Sequence, residues 1–259
     1  MDLELDLTKS VEENAGIYYD LAKKHKRKLE GAKKALAESQ AKLNQLLKQE
    51  QQFQEQELQK KSKVERKKEW YEKFHWFISS EGFLCIGGKD ATSNEIIIKK
   101  HMENDDLVFH TEMSGSPFFL IKKGASCGNI TKEETAQAVA VYSRAWKLQH
   151  TTVEVLYVLP EQVSKTPKAG EFLTKGSFII NGKVTHLYPK LEYAIGITEE
   201  RIIGGPVNAI KSKTSNYLIV IPGAEKKSDL AKKIKAKLKA GELDDIISFL
   251  PAGGGEIRK

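Results

Sequence analysis

The residues best suited to chemistry are acidic and imidazole side chains that follow two predicted strands. Asp90 and Glu95 come after the first strand, and His110 ends the second. Carboxylates and imidazoles can act as general acids, general bases or metal ligands. Because these three fit no catalytic or metal-binding motif in their spacing, catalysis is kept only as an alternative hypothesis.

A glycine turn precedes this acidic pair. A predicted strand at residues 83–86 runs into Gly87-Gly88-Lys89-Asp90, and Thr92 with Glu95 then matches a capping box that opens a helix. Free amides and the helix dipole would point at one spot there, which favours an anion site. The complete glycine-rich nucleotide fingerprints are missing from the sequence.

Ser164 and Lys165 form a second candidate pair. They could act as a serine–lysine dyad, but the residues that follow, through Gly170, are typical of a loop. Lysine and hydroxyl donors beside a glycine, which permits close backbone approach, suit a phosphate contact better. We therefore predict a phosphate-binding loop and no catalytic dyad.

The elements that position these residues read as a mixed α/β domain. Short apolar runs predict strands at residues 107–110, 118–121, 153–158, 193–197 and 217–221. Thr131 with Glu134 predicts a second capping box at a helix start. Asn181-Gly182 predicts a hairpin turn within residues 176–187, and the tail at residues 253–255 is predicted to fray.

The first 75 residues form a different kind of element, a basic helical arm. Leu29, Leu36 and Leu43 recur every seven residues, which predicts a coiled-coil seam that needs a second helix or a partner chain. Ser10 with Glu13 predicts the capping box at its start. Residues 48–52 could form a hairpin tip, so the arm is either a hairpin or one continuous helix.

Positive charge is concentrated on this arm, at residues 23–28 and 66–68. The simplest interpretation is a solvated coiled-coil face, which would leave the arm a protein-interaction scaffold. The functional interpretation is a surface that tracks phosphates, because basic runs with few acids raise the local positive potential.

Composition narrows the class of protein. The 259 residues carry a net charge of +7 and are 40% hydrophobic, but no apolar run is long enough to span a bilayer. The start is acidic, unlike a secretory signal, and Cys85 and Cys127 have no zinc or disulfide-framework spacing. We predict a cytoplasmic protein without a cofactor, divided into an arm at 1–75 and an α/β domain at 76–259.

A set of ordered motifs resembles a known family. These motifs are Gly88-Lys89-Asp90-Ala91 with Asn94-Glu95, Lys99-Lys100, His110, Gly115-Ser116, Val163-Ser164-Lys165, Gly170-Glu171, Gly176-Ser177-Phe178 and Gly182-Lys183. In this order they resemble the NFACT-R domain of the NEMF/Caliban/fibronectin-binding protein A family of ribosome quality-control factors. The aromatic segment at residues 70–77 and the arm resemble the coiled coil that leads into it. The last part, with Gly204-Gly205-Pro206, is most similar to archaeal members.

The resemblance implies a function in binding. Family members recognise a large ribosomal subunit obstructed by peptidyl-tRNA, recruit tRNA and support template-free C-terminal tailing of the stalled chain. The family's N-terminal NFACT-N and helix-hairpin-helix parts are absent here, so its tRNA-selecting residues cannot be assigned, and we expect a fragment or a partial factor. Lys89 replaces an arginine common in the motif, which keeps the charge but loses the bidentate fork.

We therefore predict an RNA-binding protein whose partners are the large ribosomal subunit and tRNA, with no catalytic residues. The alternatives are an RNA-processing enzyme that uses Asp90, Glu95 and His110, and a coiled-coil scaffold that self-associates or pairs with another protein. The proposed RNA-binding residues are Lys89, Asp90, Asn94, His110, Ser116, Lys122, Ser164, Lys165, Lys26, Arg27, Lys67 and Lys68. Asp90 and Asn94 are expected to shape the loop rather than to touch phosphate.

Overall fold

The computed structural model describes residues 4–61, 69–113, 115–165, 174–199 and 201–258, without the side chains of residues 51–61. The chain divides into two compact units, Met1–Lys67 and Lys68–Lys259. No helix in these described segments is both long and apolar enough to cross a membrane.

The first unit is dominated by helix α1 (Val11–Lys61). The predicted capping box is confirmed, because the Ser10 amide donates to the Glu13 carboxylate at 2.8 Å and the Glu13 amide donates to the Ser10 hydroxyl at 3.2 Å. The helix runs without a break through residues 48–52, so the hairpin-tip alternative is wrong. The leucines of the predicted seam are exposed within the described part of this unit.

The second unit is an α/β domain, which confirms the predicted fold class of a long helix followed by sheets with helices. Its helices are α2 (Ala91–Ile96, continued by a π-turn at Ile97–His101), α3 (Asn129–Tyr142), α4 (Arg144–Lys147), α5 (Val207–Lys211), α6 (Lys227–Leu238) and α7 (Leu243–Phe249). Its strands are β1 (His75–Ile78), β2 (Leu84–Gly87), β3 (Leu107–His110), β4 (Phe119–Ile121), β5 (Val155–Val158), β6 (Val163–Ser164), β7 (Ile179–Ile180), β8 (Thr185–Leu187), β9 (Tyr193–Ile197), β10 (Ile202–Gly205), β11 (Tyr217–Glu225) and β12 (Gly255–Ile257).

Within the described residues the strands form three antiparallel sheets. The largest has the order β1-β2-β4-β3-β5-β8, the second has the order β10-β9-β11-β12, and β6 pairs with β7. Helix α3 contacts both β3 of the first sheet and β9 of the second, and its central residues are fully buried. Burying this apolar face against the strands is what holds the two larger sheets in one core.

Three local predictions are wrong for one reason, which is that a distant segment supplies the partner. Gly182 is a bend with a φ of +80°, but β7 pairs with β6 and β8 pairs with β5, so no hairpin forms. Helix α3 starts at Asn129 and is capped from outside by Glu81, whose carboxylate accepts from the Thr131 amide at 3.0 Å.

The predicted frayed tail, residues 253–255, is instead held in place and leads into strand β12, which begins at Gly255. Strand β12 pairs with β11, and the Trp146 indole donates to the Gly254 carbonyl at 2.7 Å. The pairing satisfies backbone groups that a frayed tail would expose, so Gly255 belongs to the second sheet, and Gly254 before it is held by the Trp146 contact.

Candidate nucleic-acid interface

A cleft of about 500 Å³ opens in the second unit, between the β2–α2 loop, the β3–β4 loop and residues 174–178. It brings together five of the residues predicted to bind RNA, namely Lys89, Asp90, Asn94, His110 and Ser116. The side chains that complete its lining include His75, Glu112, Phe118, Tyr142, Thr174, Lys175, Ser177 and Phe178.

The N-cap of α2 is Asp90, and not Thr92 as predicted from the sequence. Its Oδ1 accepts from the Ser93 amide at 2.7 Å, and the Ser93 hydroxyl accepts from the amides of Lys89 and Asp90, both at 2.8 Å. The hydrogen bonds from the Ser93 amide and hydroxyl lower the pKa of the Asp90 carboxyl. The amides predicted to hold an anion are thus used within the chain, and Asp90 shapes the loop.

Asn94 braces the cleft by linking α2 to the β3–β4 loop. Its Oδ1 accepts from the Phe118 amide at 3.0 Å, and its Nδ2 donates to the Ser116 carbonyl at 3.3 Å. A Cβ on Gly88 would lie 1.9 Å from that Oδ1, which explains the glycine. The Ser116 hydroxyl donates to the Met113 carbonyl, so Ser116 also fixes the loop.

His110 forms one wall of the cleft. Its ring stacks on Phe118 with 3.8 Å between centroids and an interplanar angle of 1°. Nδ1 lies 3.0 Å from the Pro117 carbonyl, which can only accept, so Nδ1 carries the hydrogen. Burial lowers the pKa of His110, and the neutral ring keeps Nε2 as an acceptor.

The floor of the cleft is a second histidine stack. His75 lies on Tyr142 with 3.6 Å between centroids, and burial lowers the pKa of His75 to about 3, helped by the positive charges of Lys89 and Lys227. The imidazole is therefore neutral at physiological pH. A neutral imidazole offers one donor and one acceptor.

The positive charge of the cleft comes from Lys89 and Lys175, which line it. Partial burial lowers the pKa of Lys89, and Lys175 contributes to lowering the pKa of Asp90. An ammonium that has lost part of its hydration gains more from a phosphate oxygen than a fully solvated one does.

The sequence of this chain is similar to those of known proteins. Residues 73–182 match the family described as NFACT protein RNA binding domain. The archaeal Rqc2 homologue aRqcH of Methanocaldococcus jannaschii is 39% identical over 211 residues, which cover 78% of this chain and 31% of that protein. The chain carries an NFACT RNA-binding domain of the Rqc2/NEMF family. The resemblance found in the sequence is confirmed.

Other relatives are eukaryotic. The ribosome quality control complex subunit NEMF of Homo sapiens is 39% identical over 184 residues, covering 68% of this chain and 16% of that protein. The NEMF homologue of Drosophila melanogaster is 36% identical over 204 residues, which cover 76% of this chain and 20% of that protein. This chain therefore spans less than a third of the length of each of these relatives.

All residues that line the cleft lie between His75 and Phe178, inside the matched NFACT segment. Lys165 lies beside the cleft within the same NFACT segment. Its ammonium pairs with the Glu95 carboxylate, which Lys99 also contacts at 2.7 Å, and it stands 5.6 Å from the centroid of the Phe178 ring. Ser164 is in β6, opposite Ile179, and its side chain does not line the cleft.

Lys122, which belongs to the same unit, does not line the cleft. Lys122 is held inside the NFACT domain, with Nζ 2.6 Å from the Asp106 carboxylate and 2.6 Å from the His101 carbonyl. Lys26 and Arg27 are exposed on α1. Lys67 and Lys68 lie outside the described residues.

The three residues of the alternative catalytic hypothesis have three separate structural roles. Asp90 caps a helix, Glu95 pairs with lysines, and His110 is a neutral, stacked ring. The one acidic cluster with metal-ligand spacing in the described part of the chain is Glu103, Asp105 and Asp106, and Lys122 already binds two of its carboxylates, those of Glu103 and Asp106. These placements favour binding over catalysis in the NFACT domain.

The cleft of the NFACT domain also contains residues that were not predicted as site residues. His75 lies within the aromatic segment at residues 70–77, and Lys175 and Glu112 carry no motif signal. They reach the cleft only because strands pair and because residues 174–178 come back to the start of α2. Gly176 in this returning segment has a φ of +80° and packs against Ala91. Local spacing gives no sign of that return.

Proposed function

We propose that this chain is the RNA-binding C-terminal part of a ribosome-associated quality-control factor that acts in the cytoplasm on obstructed large ribosomal subunits. In this proposal it binds tRNA or large-subunit rRNA, and the whole factor supports C-terminal tailing of stalled chains. The arm at 1–75 and the domain at 76–259 act as separate binding elements. It works by binding and breaks no bond.

The observation that carries the proposal is the meeting of five predicted residues in one lysine-bearing cleft within the NFACT segment. The names of the relatives, which describe subunits of the ribosome quality control complex, support the ribosomal setting. Cationic side chains and hydroxyl groups around the cleft suit sugar–phosphate contacts, which position RNA without reading its sequence.

The test is a salt titration of the full chain with tRNA and with fragments of large-subunit rRNA. Affinity is expected to fall linearly in a log–log plot, and Lys89→Ala is expected to reduce the slope by about one phosphate contact. Lys147→Ala is the matched control, because Lys147 is exposed in the same domain and does not line the cleft. Salt-independent binding, or none, would refute the proposal.

We also propose that α1 packs against a second helix, because Leu29, Leu36 and Leu43 are 56%, 66% and 53% exposed. A seam this narrow is stable only when another helix covers it. Sedimentation of the full chain over a range of concentrations tests whether that helix comes from a second copy: a concentration-dependent dimer supports self-association, and a monomer at all concentrations rules self-association out.

A further inference from the structure

The cleft has a property that general phosphate binding does not require. Two histidine rings, His75 and His110, line it, and each is fixed by a parallel aromatic neighbour at 3.6 and 3.8 Å respectively. Stacking of this kind fixes the plane of each ring, so the nitrogen atoms keep a constant direction. A site that only attracts phosphate has no use for oriented, uncharged hydrogen-bonding groups.

The hydrogen-bonding capacity of these rings is only partly used by the protein. Nδ1 of His110 donates to Pro117, which leaves Nε2 as an acceptor. Within the described residues, neither ring nitrogen of His75 has a hydrogen-bond partner. The cleft therefore presents one donor and two acceptors from neutral rings, which matches the mixed donors and acceptors of a base edge or a ribose 2′-hydroxyl.

The cleft contains both positive and negative side chains, and a nucleotide has groups that match each of them. Lys89 and Lys175 supply positive charge, while the Glu112 carboxylate can accept hydrogen bonds from amino groups of a base. The volume of about 500 Å³ lies within the range of roughly 300–1,000 Å³ typical of small-ligand pockets. An intact RNA duplex, whose bases are paired and stacked, could not place a base edge inside such a pocket.

We propose that the cleft receives one unstacked nucleotide, with the base or ribose against His75 and His110 and the phosphate against Lys89 and Lys175. This inference rests on the proposed RNA-binding function and makes it more specific. The same chemistry is offered by a nucleotide within a single-stranded RNA segment and by a free mononucleotide, so the experiment contains both.

The test compares three probes on the full chain by calorimetry: a single-stranded RNA hexamer, a blunt RNA duplex of matched charge, and 5′-mononucleotides. The hexamer is expected to bind about tenfold more tightly than the duplex. His75→Phe, which keeps a flat ring but removes both nitrogens, is expected to weaken hexamer binding about tenfold and to leave duplex binding within about twofold. His110→Phe is the second variant if His75→Phe does not fold, and Lys147→Ala is the control.

Each result has a defined meaning. Equal binding of hexamer and duplex, unchanged by either histidine variant, would overturn the nucleotide pocket and leave the RNA-binding function intact. Absence of binding to any RNA would overturn both. Saturable mononucleotide binding that His75→Phe abolishes would identify a free ligand, whereas hexamer binding alone would identify a strand-held nucleotide.

Discussion

The ring of His75 lies nearly parallel to the ring of Tyr142, with 3.6 Å between centroids and 19° between planes. Tyr142 ends α3, and its hydroxyl donates to the Phe249 carbonyl at 2.8 Å and accepts from Tyr193 at 2.6 Å. The floor of the cleft is thus connected through one side chain to α7 and to the second sheet. A change in the buried polar contacts of Tyr142 should be felt in the stability of the whole domain.

Tyr142→Phe removes that hydroxyl and leaves the Tyr193 hydroxyl and the Phe249 carbonyl without their partner. Because an unsatisfied buried polar group costs roughly 1–3 kcal/mol, the free energy of unfolding should fall by about that amount. Urea unfolding measures it. Tyr217→Phe is the control, and an equal loss in both variants would contradict the assigned role.

Stability should fall as the pH is lowered from 6.5 toward 3. The pKa of His75 is about 3 in the folded protein against 6.5 for an ordinary histidine, so the unfolded chain takes up the proton first. The loss per pH unit from one such group cannot exceed about 1.4 kcal/mol. Unfolding measured at pH 7, 6 and 5 should show a shallower slope for His75→Phe; an unchanged slope would show that the ring is protonated when folded.

A second acid-sensitive group is Glu95. Its hydrogen bonds with Lys165 and Lys99 lower its pKa to about 2 from 4.5, so the stability it contributes is present above pH 4.5 and is lost as the pH falls toward 2. The melting temperature of Glu95→Gln should therefore vary less between pH 5 and 3 than that of the unmodified protein. Glu133→Gln, an exposed carboxylate elsewhere in the domain, should leave that difference unchanged.

Gly88→Ala should destabilise the domain by about 1–3 kcal/mol, because the added Cβ would collide with the Asn94 carboxamide that holds the β3–β4 loop. The contrasting change is Gly31→Ala in α1, where nothing lies within 4 Å. It should increase helicity in far-ultraviolet circular dichroism by removing a penalty of about 1 kcal/mol. Equal effects of the two changes would show that space around Gly88 is not limiting.

Two substitutions of Asp90 distinguish its role in shaping the loop from the effect of its charge. Asp90→Ala should lower stability by about 1 kcal/mol through loss of the N-cap, whereas Asp90→Asn keeps an acceptor and should remain within about 0.5 kcal/mol. RNA affinity should be retained or increased in Asp90→Asn, because a negative charge at the cleft is removed. A large loss of affinity in that variant would instead assign the carboxylate a direct contact.

The sequence predicts individual elements better than it predicts their partners. The strand that ends at His110 and the box at Ser10 were predictable because the signal lies within a few neighbouring residues. The cap that Glu81 provides to α3, the pairing of Val163 with Ile180 and the tail strand at Gly255 were not, because each depends on a segment far away in the chain. In the cleft, the residues that carry motifs were predictable. The presence of Lys175, which depends on the return of residues 174–178, and of His75, which depends on the pairing of β1, was not.

The continuity of α1 has an electrostatic consequence. At 1.5 Å per residue, a helix of 51 residues extends over about 76 Å. Mobile ions at physiological ionic strength screen charges beyond about 8 Å. The acidic first turn at Glu12 and Glu13 and the basic stretch near Lys26 lie roughly 20 Å apart along the helix at that rise, so they do not sense one another through solvent. The helix behaves as a series of electrically independent segments, and each can meet a surface of a different character.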